Sequence, residues 1–269
     1  MDSLYKNIFS RNIGFLTESE QDRLGRSGIA IAGMGGVGGL LAERLLRLGV
    51  GQLRITDPGT FEESNLNRQF GSSMLNLGQN KAAVVFAQIR DINPQAKIVF
   101  TDTGIRNEDD ASLFVDGCDL VIDEMDLGSL RQSIILQRAA RSRGVHYLFT
   151  SAIGFGALAV IFDPRGITLE EYNKLPPDID LGDTGRLVVP LERSVPVIPS
   201  YISGVSADTV QKIFAGEIPV PTTSIGVGLA STLAANEAIN IILRKRDIVT
   251  APGYIYIDLL DQRLVVGTV

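Results

Sequence analysis

Residues 28–38 read Gly-Ile-Ala-Ile-Ala-Gly-Met-Gly-Gly-Val-Gly, and this stretch decides the fold. The apolar run over 29–32 is typical of a buried strand, and the leucines over 40–48 recur at helical spacing. Between them, Gly33, Gly35 and Gly38 fit the G-x-G-x-x-G spacing of a turn whose backbone approaches phosphate oxygens at a helix N-terminus. We expect these three glycines and Gly36 to hold phosphates, although such a turn can also serve packing alone.

A second strand is predicted over 53–56, and Asp57 follows it directly. An acid at that place can hold ribose hydroxyls. The glycine turn and Asp57 by themselves also fit an NAD(P)-dependent oxidoreductase, which therefore stays an alternative.

The next polar segment separates these two classes. Asn65, Arg68 and Gln69 lie in the run Ser-Asn-Leu-Asn-Arg-Gln (64–69), and Lys81 ends Gly-Gln-Asn-Lys (78–81). A dinucleotide has one pyrophosphate, which the helix N-terminus already meets. A triphosphate carries more charge, so it benefits from an arginine fork and a lysine point charge. The segment favours ATP over NAD, against the alternative of a solvated polar loop.

Together with Val-Ile-Asp-Glu-Met-Asp (121–126), these motifs resemble the ThiF/MoeB/HesA-type adenylyltransferase family, which is related to ubiquitin-activating enzymes. The resemblance is good over residues 1–160 and loose beyond them. It implies an ATP-dependent adenylyltransferase that activates a carboxylate as an acyl adenylate and releases pyrophosphate. The carboxylate could belong to a ubiquitin-like carrier protein, a peptide or a small acid. A non-catalytic nucleotide-binding partner subunit is a further alternative.

The resemblance also assigns roles to single residues. Arg68 and Lys81 would act on the triphosphate, Asp126 would bind Mg²⁺, and Arg11 would reach the site of the other subunit of a homodimer. The alternatives are a helix N-cap for Asp126 and a solvated surface position for Arg11. Glu124 and Leu127 depart from the family pattern around Asp126, where a small residue and an amide or hydroxyl are usual.

Composition limits the remaining possibilities. The chain has 269 residues, is 45% hydrophobic and carries a formal charge of −6, which argues against a nucleic-acid scaffold. Neither a signal peptide nor an apolar run of transmembrane length is apparent, so we expect a cytoplasmic protein with no membrane partner. The single cysteine, Cys118, rules out an internal disulfide and a cysteine-only zinc site. We expect no zinc and no cysteine thioester step.

These patterns predict an α/β fold: a Rossmann-like nucleotide-binding sheet with flanking helices, a proline-rich crossover, and a C-terminal helix with a β-hairpin. We interpret residues 1–269 as one adenylation domain. Its parts are a helical arm (1–26), the nucleotide-binding core (27–162), a crossover or lid (163–222) and the C-terminal helix and hairpin (223–269).

Overall fold

The computed structural model describes residues 3–176, 179, 181, 190–202, 206, 209, 212–213, 217–218 and 220–269. Its centre is a mixed eight-stranded sheet with the order β3-β2-β1-β4-β5-β6-β7-β8. The strands are β1 (Gly28–Ala32), β2 (Gln52–Thr56), β3 (Lys97–Thr101), β4 (Leu120–Asp123), β5 (His146–Ile153), β6 (Gly156–Phe162), β7 (Gly253–Asp258) and β8 (Arg263–Thr268). The predicted Rossmann-like α/β class is confirmed.

The first five strands are parallel, and helices join them. β1 is buried along its whole length because it lies in the middle of this half, with helices over both faces. One core layer packs the leucines of α3 against one face of the sheet, and a second layer covers the other face with α5 and α6. The continuous apolar run over 29–32 in the sequence reflects this burial on both sides.

Strands β5 to β8 are antiparallel, so the C-terminal hairpin extends the same sheet as the nucleotide-binding half. The turn between β5 and β6 contains Gly154 at φ +61°, where Tyr201 leaves no room for a side chain. Tyr201 Oη accepts a hydrogen bond from the Phe155 N–H at 2.7 Å and donates one to Asp258 at 2.7 Å. The end of the described crossover segment is thereby tied to two turns of the sheet.

The helices are α1 (Ser3–Ile8), α2 (Glu18–Arg26), α3 (Gly36–Leu48), α4 (Lys81–Ile89), α5 (Glu108–Val115), α6 (Leu130–Ser142), α7 (Leu169–Tyr172), α8 (Leu191–Ser194) and α9 (Ser224–Leu243). Helix α2 begins with a capping box, in which the Glu20 N–H donates to Thr17 Oγ1 at 3.2 Å and the Thr17 N–H donates to Glu20 Oε2 at 2.8 Å. The helix predicted to begin at Leu127 starts instead with a 3₁₀ turn, Leu127–Ser129. Of the prolines that characterise the crossover, Pro177 lies outside the described residues.

Helix α9 differs from the expectation that the chain has no apolar run of transmembrane length. Its 20 residues include an 18-residue window with a mean hydropathy of 1.3, and 61% of that window is buried. The helix lies against α3, β5 and β6, and its alanines belong to the main core. It is apolar on most sides because protein surrounds it, as expected for a core helix.

The N-terminal arm is anchored by one buried hydroxyl. Tyr5 is 4% exposed, and its Oη lies 2.6 Å from the carbonyl oxygen of Gly49. Tyr5 Oη also accepts a hydrogen bond from Gln21 Nε2 at 2.9 Å. The arm, α2 and the end of α3 therefore meet at one polar contact inside an apolar layer.

Replacing Tyr5 by Phe tests this anchor. The change leaves the buried groups of Gly49 and Gln21 without their partner, so we expect a loss of about 1–3 kcal/mol in the free energy of unfolding. Urea unfolding measures it. Tyr254→Phe is the matched control, because the Tyr254 side chain is equally buried and its hydroxyl has no hydrogen bond among the described residues. Equal losses in both variants would contradict the anchor.

Candidate nucleotide site

The site lies where β1 and β4 end side by side. β1 continues through the glycine turn into α3 and then β2 on one side, whereas β4 continues into α6 and β5 on the other. The Gly33 N–H donates to Thr56 O at 2.8 Å, and the Glu124 N–H donates to Ala32 O at 2.7 Å. The two chains then diverge, which opens the crevice where α/β sheets bind ligands.

The glycine turn is shaped by close backbone contacts. A Cβ on Gly33, which has φ +96°, would lie 2.3 Å from Glu124 O, and one on Gly38 would lie 1.9 Å from Gly33 O. Both positions therefore exclude every side chain. Gly35 is the N-cap of α3 and offers no side-chain cap, so the N–H groups of the first helical turn have no intrahelical acceptor. These N–H groups form a natural anion site.

Asp57 holds this turn in place. Its Oδ2 accepts a hydrogen bond from the Met34 N–H at 2.6 Å, and its Oδ1 accepts one from the Gly59 N–H at 2.7 Å. Asp57 is 9% exposed, so these are largely buried bonds. A carboxylate has further lone pairs, so ribose contacts stay compatible with the position. The structure adds a role that the sequence analysis did not foresee, namely joining the end of β2 to the glycine turn.

Lys81 and Asn80 stand on the far side of Asp57. Asn80 caps α4 through the Ala83 N–H at 3.0 Å, and its Nδ2 donates to Asp57 O at 2.8 Å. Lys81 is the first residue of α4, and its Nζ lies 3.6 Å from where a Cβ on Gly59 would stand. Among the described residues its ammonium has no ion pair or hydrogen bond. The cation is therefore free to meet an anion beside the Asp57 turn.

The side chains in the segment that carries Asn65, Arg68 and Gln69 differ in their surroundings: some shape the turn, and others are directed by hydrogen bonds to neighbouring residues. Asn65 is 7% exposed, and its Oδ1 accepts the Glu62 N–H at 3.1 Å, so its side chain shapes the turn. The Arg68 guanidinium donates to Ser64 O and to Asn67 Oδ1 at 3.0 and 2.9 Å, which fixes its direction.

Gln69 is the position that points to a missing ligand. Its amide lies 3.7 Å from a Cβ built on Gly35, and its Oε1 is buried with no hydrogen-bond partner among the described residues. An orphaned polar atom beside the glycine turn fits a site that a polar ligand completes.

The three acids after β4 have three different environments. Asp123 is buried and accepts hydrogen bonds from Tyr147 Oη and, at 2.9 Å, from the Met125 N–H. Glu124 is half-buried and accepts a bond from Thr150 Oγ1 at 2.6 Å. Asp126 is exposed and is the N-cap residue of the 3₁₀ turn, but its side chain makes no capping bond. Of these three acids, only Asp126 has a carboxylate without a hydrogen bond among the described residues. Its side chain is therefore not engaged in capping the helix.

Burial changes the charge of this acidic cluster. Desolvation raises the pKa of Asp123, and desolvation together with the nearby Asp123 charge raises the pKa of Glu124 well above its ordinary range. The raised pKa favours the neutral form of Glu124, and its carboxyl accepts a hydrogen bond from Thr150 instead of standing free beside Asp126. The Leu127 side chain, the other departure, lies outside the described atoms.

The start of α9 is a part of the site that the sequence analysis missed. A Cβ on Gly36 would lie 3.1 Å from the methyl groups of Val227, and Asn67 Nδ2 donates to Thr222 O at 3.2 Å. Thr223 caps the helix through the Gly226 N–H at 3.0 Å and donates to Gly154 O at 2.8 Å. The paired threonines before Ser224 were the available signal, as a helix start, but only the fold shows that this start faces the glycine turn.

One predicted residue, Arg11, is placed without a contact to the glycine turn or its neighbours among the described residues. Arg11 is exposed in a 3₁₀ turn, Ser10–Asn12, and its action on a second subunit stays a prediction. The described residues contain no group of three or more metal-ligating His, Cys, Asp or Glu side chains. A magnesium ion that is bound through one carboxylate, water and phosphate would not need such a group.

Glu124→Gln tests the neutral carboxyl. When the pKa of an acid is higher in the folded than in the unfolded state, its contribution to the free energy of unfolding is full below the unfolded pKa, which is 4.5 for Glu124. That contribution declines as the pH rises toward the folded pKa. We therefore expect the free energy of unfolding to fall less between about pH 5 and about pH 8 in the variant than in the wild type. Urea unfolding across this range measures the slope. Glu18→Gln, at an exposed carboxylate, controls for the lost charge, and an unchanged slope in Glu124→Gln would contradict the assignment.

Comparison with known proteins places this geometry in context. The ThiF family model matches residues 9–268. The tRNA threonylcarbamoyladenosine dehydratase of Bacillus subtilis is 35% identical over 118 residues, which cover 44% of this chain and 46% of the dehydratase. The sulfur carrier protein adenylyltransferase of Thermus thermophilus is 26% identical over 230 residues, which cover 84% of this chain and 80% of that protein.

Solved structures share the fold. Escherichia coli MccB, in a crystal structure with AMPCPP and MccA, superposes with a TM-score of 0.73 at 17% identity and covers all of this chain and 73% of MccB. The MccB structure with ATP has a TM-score of 0.69 at 16% identity. This chain covers less than half the length of the dehydratase that it matches. At 16–17% identity, the similarity to the MccB structures shows a shared fold.

Proposed function

Because the chain belongs to the ThiF family, we propose that it is an ATP-dependent adenylyltransferase that activates a carboxylate without a cysteine thioester step. The observation that carries the proposal is the crevice between β1 and β4, which the open N-terminus of α3 and the orphaned Gln69 oxygen line. The free Lys81 ammonium lies beside the Asp57 turn, and the exposed Asp126 carboxylate follows β4. A dinucleotide would leave the cations without a partner, so the crevice favours a triphosphate.

The residues that would hold Mg-ATP follow from these positions. The N–H groups of Gly35, Gly36 and Gly38 would meet phosphate oxygens, and Arg68 and Lys81 would balance the remaining triphosphate charge. Asp57 would accept ribose hydroxyls, and Asp126 would hold magnesium. The donor set fits the group, because cations and N–H donors line one side and an unpaired carboxylate stands on the other.

Bound ATP would supply the α-phosphorus that a carboxylate oxygen attacks, with pyrophosphate as the leaving group and an acyl adenylate as the product. The chain's own contribution is positioning and charge balance at the transferring phosphorus. Cys118 precedes β4 and so lies at the opposite end of that strand from the crevice. Burial raises the pKa of its thiol, which keeps it protonated and a poor nucleophile.

The carboxylate donor that we propose is a carrier-protein or peptide C-terminus, as the names of the adenylyltransferase relative and of the MccB complexes suggest. The dehydratases, which are 32–35% identical, support a second candidate, a tRNA-borne threonylcarbamoyl group. That group also carries a carboxylate, so the same activation would begin its dehydration. ATP–pyrophosphate exchange that depends on a peptide carboxylate supports the first donor, and exchange that depends on modified tRNA supports the second.

Calorimetry with Lys81→Ala tests the nucleotide itself. We expect the wild type to bind Mg-ATP, and the variant to bind it at least about tenfold more weakly, because a charge-assisted contact contributes 1.4 kcal/mol or more. Lys97→Ala, at an exposed position of β3, is the matched control and should bind like the wild type. Binding of NADH in place of Mg-ATP would support an oxidoreductase, and binding of neither would support a non-catalytic subunit.

A mixing experiment tests the proposed homodimer and Arg11. If Arg11 completes the neighbouring site while Lys81 acts in its own, Arg11→Ala and Lys81→Ala are each weak alone but complement each other in mixed dimers. Random exchange between equal amounts should restore tight Mg-ATP sites to about a quarter of the wild-type number per chain. Calorimetry counts these sites, and the absence of any recovery after subunit exchange would count against a trans role.

A further inference from the structure

A second cleft lies at the opposite edge of the sheet, where β1, β4 and β5 begin. It has a volume of about 380 Å³, within the range of small-molecule sites. Its floor is formed by the strand starts near Ser27, Asp119 and His146, and its walls by the ends of α2 and α9. Since β1 runs between the two edges, Ser27 in the cleft and Gly33 in the glycine turn are about 20 Å apart along that strand.

Three arginines dominate the charge of this cleft. Arg23 and Arg26 come from the last turn of α2, and Arg244 follows α9. None of the three guanidinium groups makes a hydrogen bond or an ion pair among the described residues. Other arginines of the chain are paired, for example Arg106 with Asp110 at 2.7 Å and Arg138 with Glu170 at 2.7 Å. Because three unpaired cations lie together in this cleft, its local electrostatic potential favours anions even though the chain has a net charge of −6.

The acidic and imidazole side chains of the cleft already have partners. Asp119 Oδ2 accepts a hydrogen bond from the Gly28 N–H at 2.9 Å, so it fixes the start of β1. His146 Nε2 lies 3.6 Å from Asp163 Oδ2, and burial, the larger influence, lowers the pKa of His146. Within the cleft the arginines face Asp119, which is bonded to the start of β1, and His146, whose lowered pKa favours the neutral imidazole. Asp163 and Asp247 line an adjoining pocket together with Arg244.

Direct hydrogen bonding to a helix end does not account for these arginines. Cations near a helix C-terminus do offset its dipole, and a capping arginine would donate to the last carbonyl groups. Arg54 behaves in that way toward Leu113 O at 2.6 Å, near the end of α5. Arg23, Arg26 and Arg244 donate to no carbonyl within the described residues.

The backbone of Arg244 adds an independent observation. It is the C-cap of α9 with φ 58° and ψ 48°, a left-handed conformation that glycine adopts most easily. The chain holds an arginine in this strained position, and its charge acts on His146 at the cleft floor.

We propose that this cleft binds a small phosphate-bearing anion, as a second anion site that is separate from the nucleotide site. Guanidinium forks match phosphate oxygens, and three of them suit a dianion or a pyrophosphate-type group. Ile241, Ile242 and Ile248 also line the cleft, so an organic group attached to the phosphate has an apolar surface to contact. The proposal does not depend on the proposed function.

Titration of inorganic pyrophosphate, without magnesium, tests the cleft. The starting protein is the Arg68→Ala/Lys81→Ala variant, whose nucleotide site lacks its two cations. We expect calorimetry to give about one site per chain, and Arg26→Ala combined with Arg244→Gly to weaken it at least about tenfold. Glycine suits the left-handed C-cap, so this variant should fold, and thermal unfolding verifies that. Arg90→Ala is the control outside the cleft and should leave the affinity unchanged.

Two results would overturn the proposal: no pyrophosphate binding in the starting variant, or equal binding with and without the cleft arginines. Inorganic phosphate and AMP then distinguish the source of the anion. Tighter binding of AMP supports a phosphomonoester whose organic part contacts the isoleucines, and equal binding supports a free phosphate anion in the same cleft.

Discussion

The close approach of Gly33, Gly38 and Glu124 is the contact on which the rest of the structure depends. No side chain fits at either glycine, because a Cβ would lie 2.3 Å or less from a backbone oxygen. This closeness lets α3 begin directly above the end of β1, with its first N–H groups facing the crevice. Asp57 then fixes the turn from β2 through Met34, so three neighbouring elements converge on one backbone turn.

Burial sorts the acids at the end of β4 into different chemical roles. Asp123 and Glu124 are desolvated and bonded to Tyr147 and Thr150, which favours their neutral forms. Asp126, three residues after Asp123, is exposed, and its side chain makes no capping bond, so its carboxylate is free to meet a cation. The additional acid at Glu124 therefore does not present a second uncommitted carboxylate, because it accepts a hydrogen bond from Thr150.

Helix α9 connects the two edges of the sheet. Its N-terminus lies against Gly36 and Gly154, and its C-cap, Arg244, lines the arginine cleft. A helix of 20 residues spans about 30 Å, enough to reach from one edge to the other. Its apolar surface is buried between α3 and the antiparallel strands, so the helix is held by packing between the nucleotide crevice and the cleft.

The sequence by itself determined the order and type of the main elements, because local patterns record them. Apolar runs and glycine spacing predicted the first two strands and helix α3 to within a few residues. That the residues from Gly33 to Asp126 share one nucleotide site stays a prediction. What it left undecided are contacts between distant segments. Thr222 beside Asn67, the partnerless Gln69 oxygen and the neutral Glu124 depend on tertiary packing and burial. The sequence also does not show that one cleft contains Arg23, Arg26 and Arg244. No local pattern records which helix ends a sheet brings together.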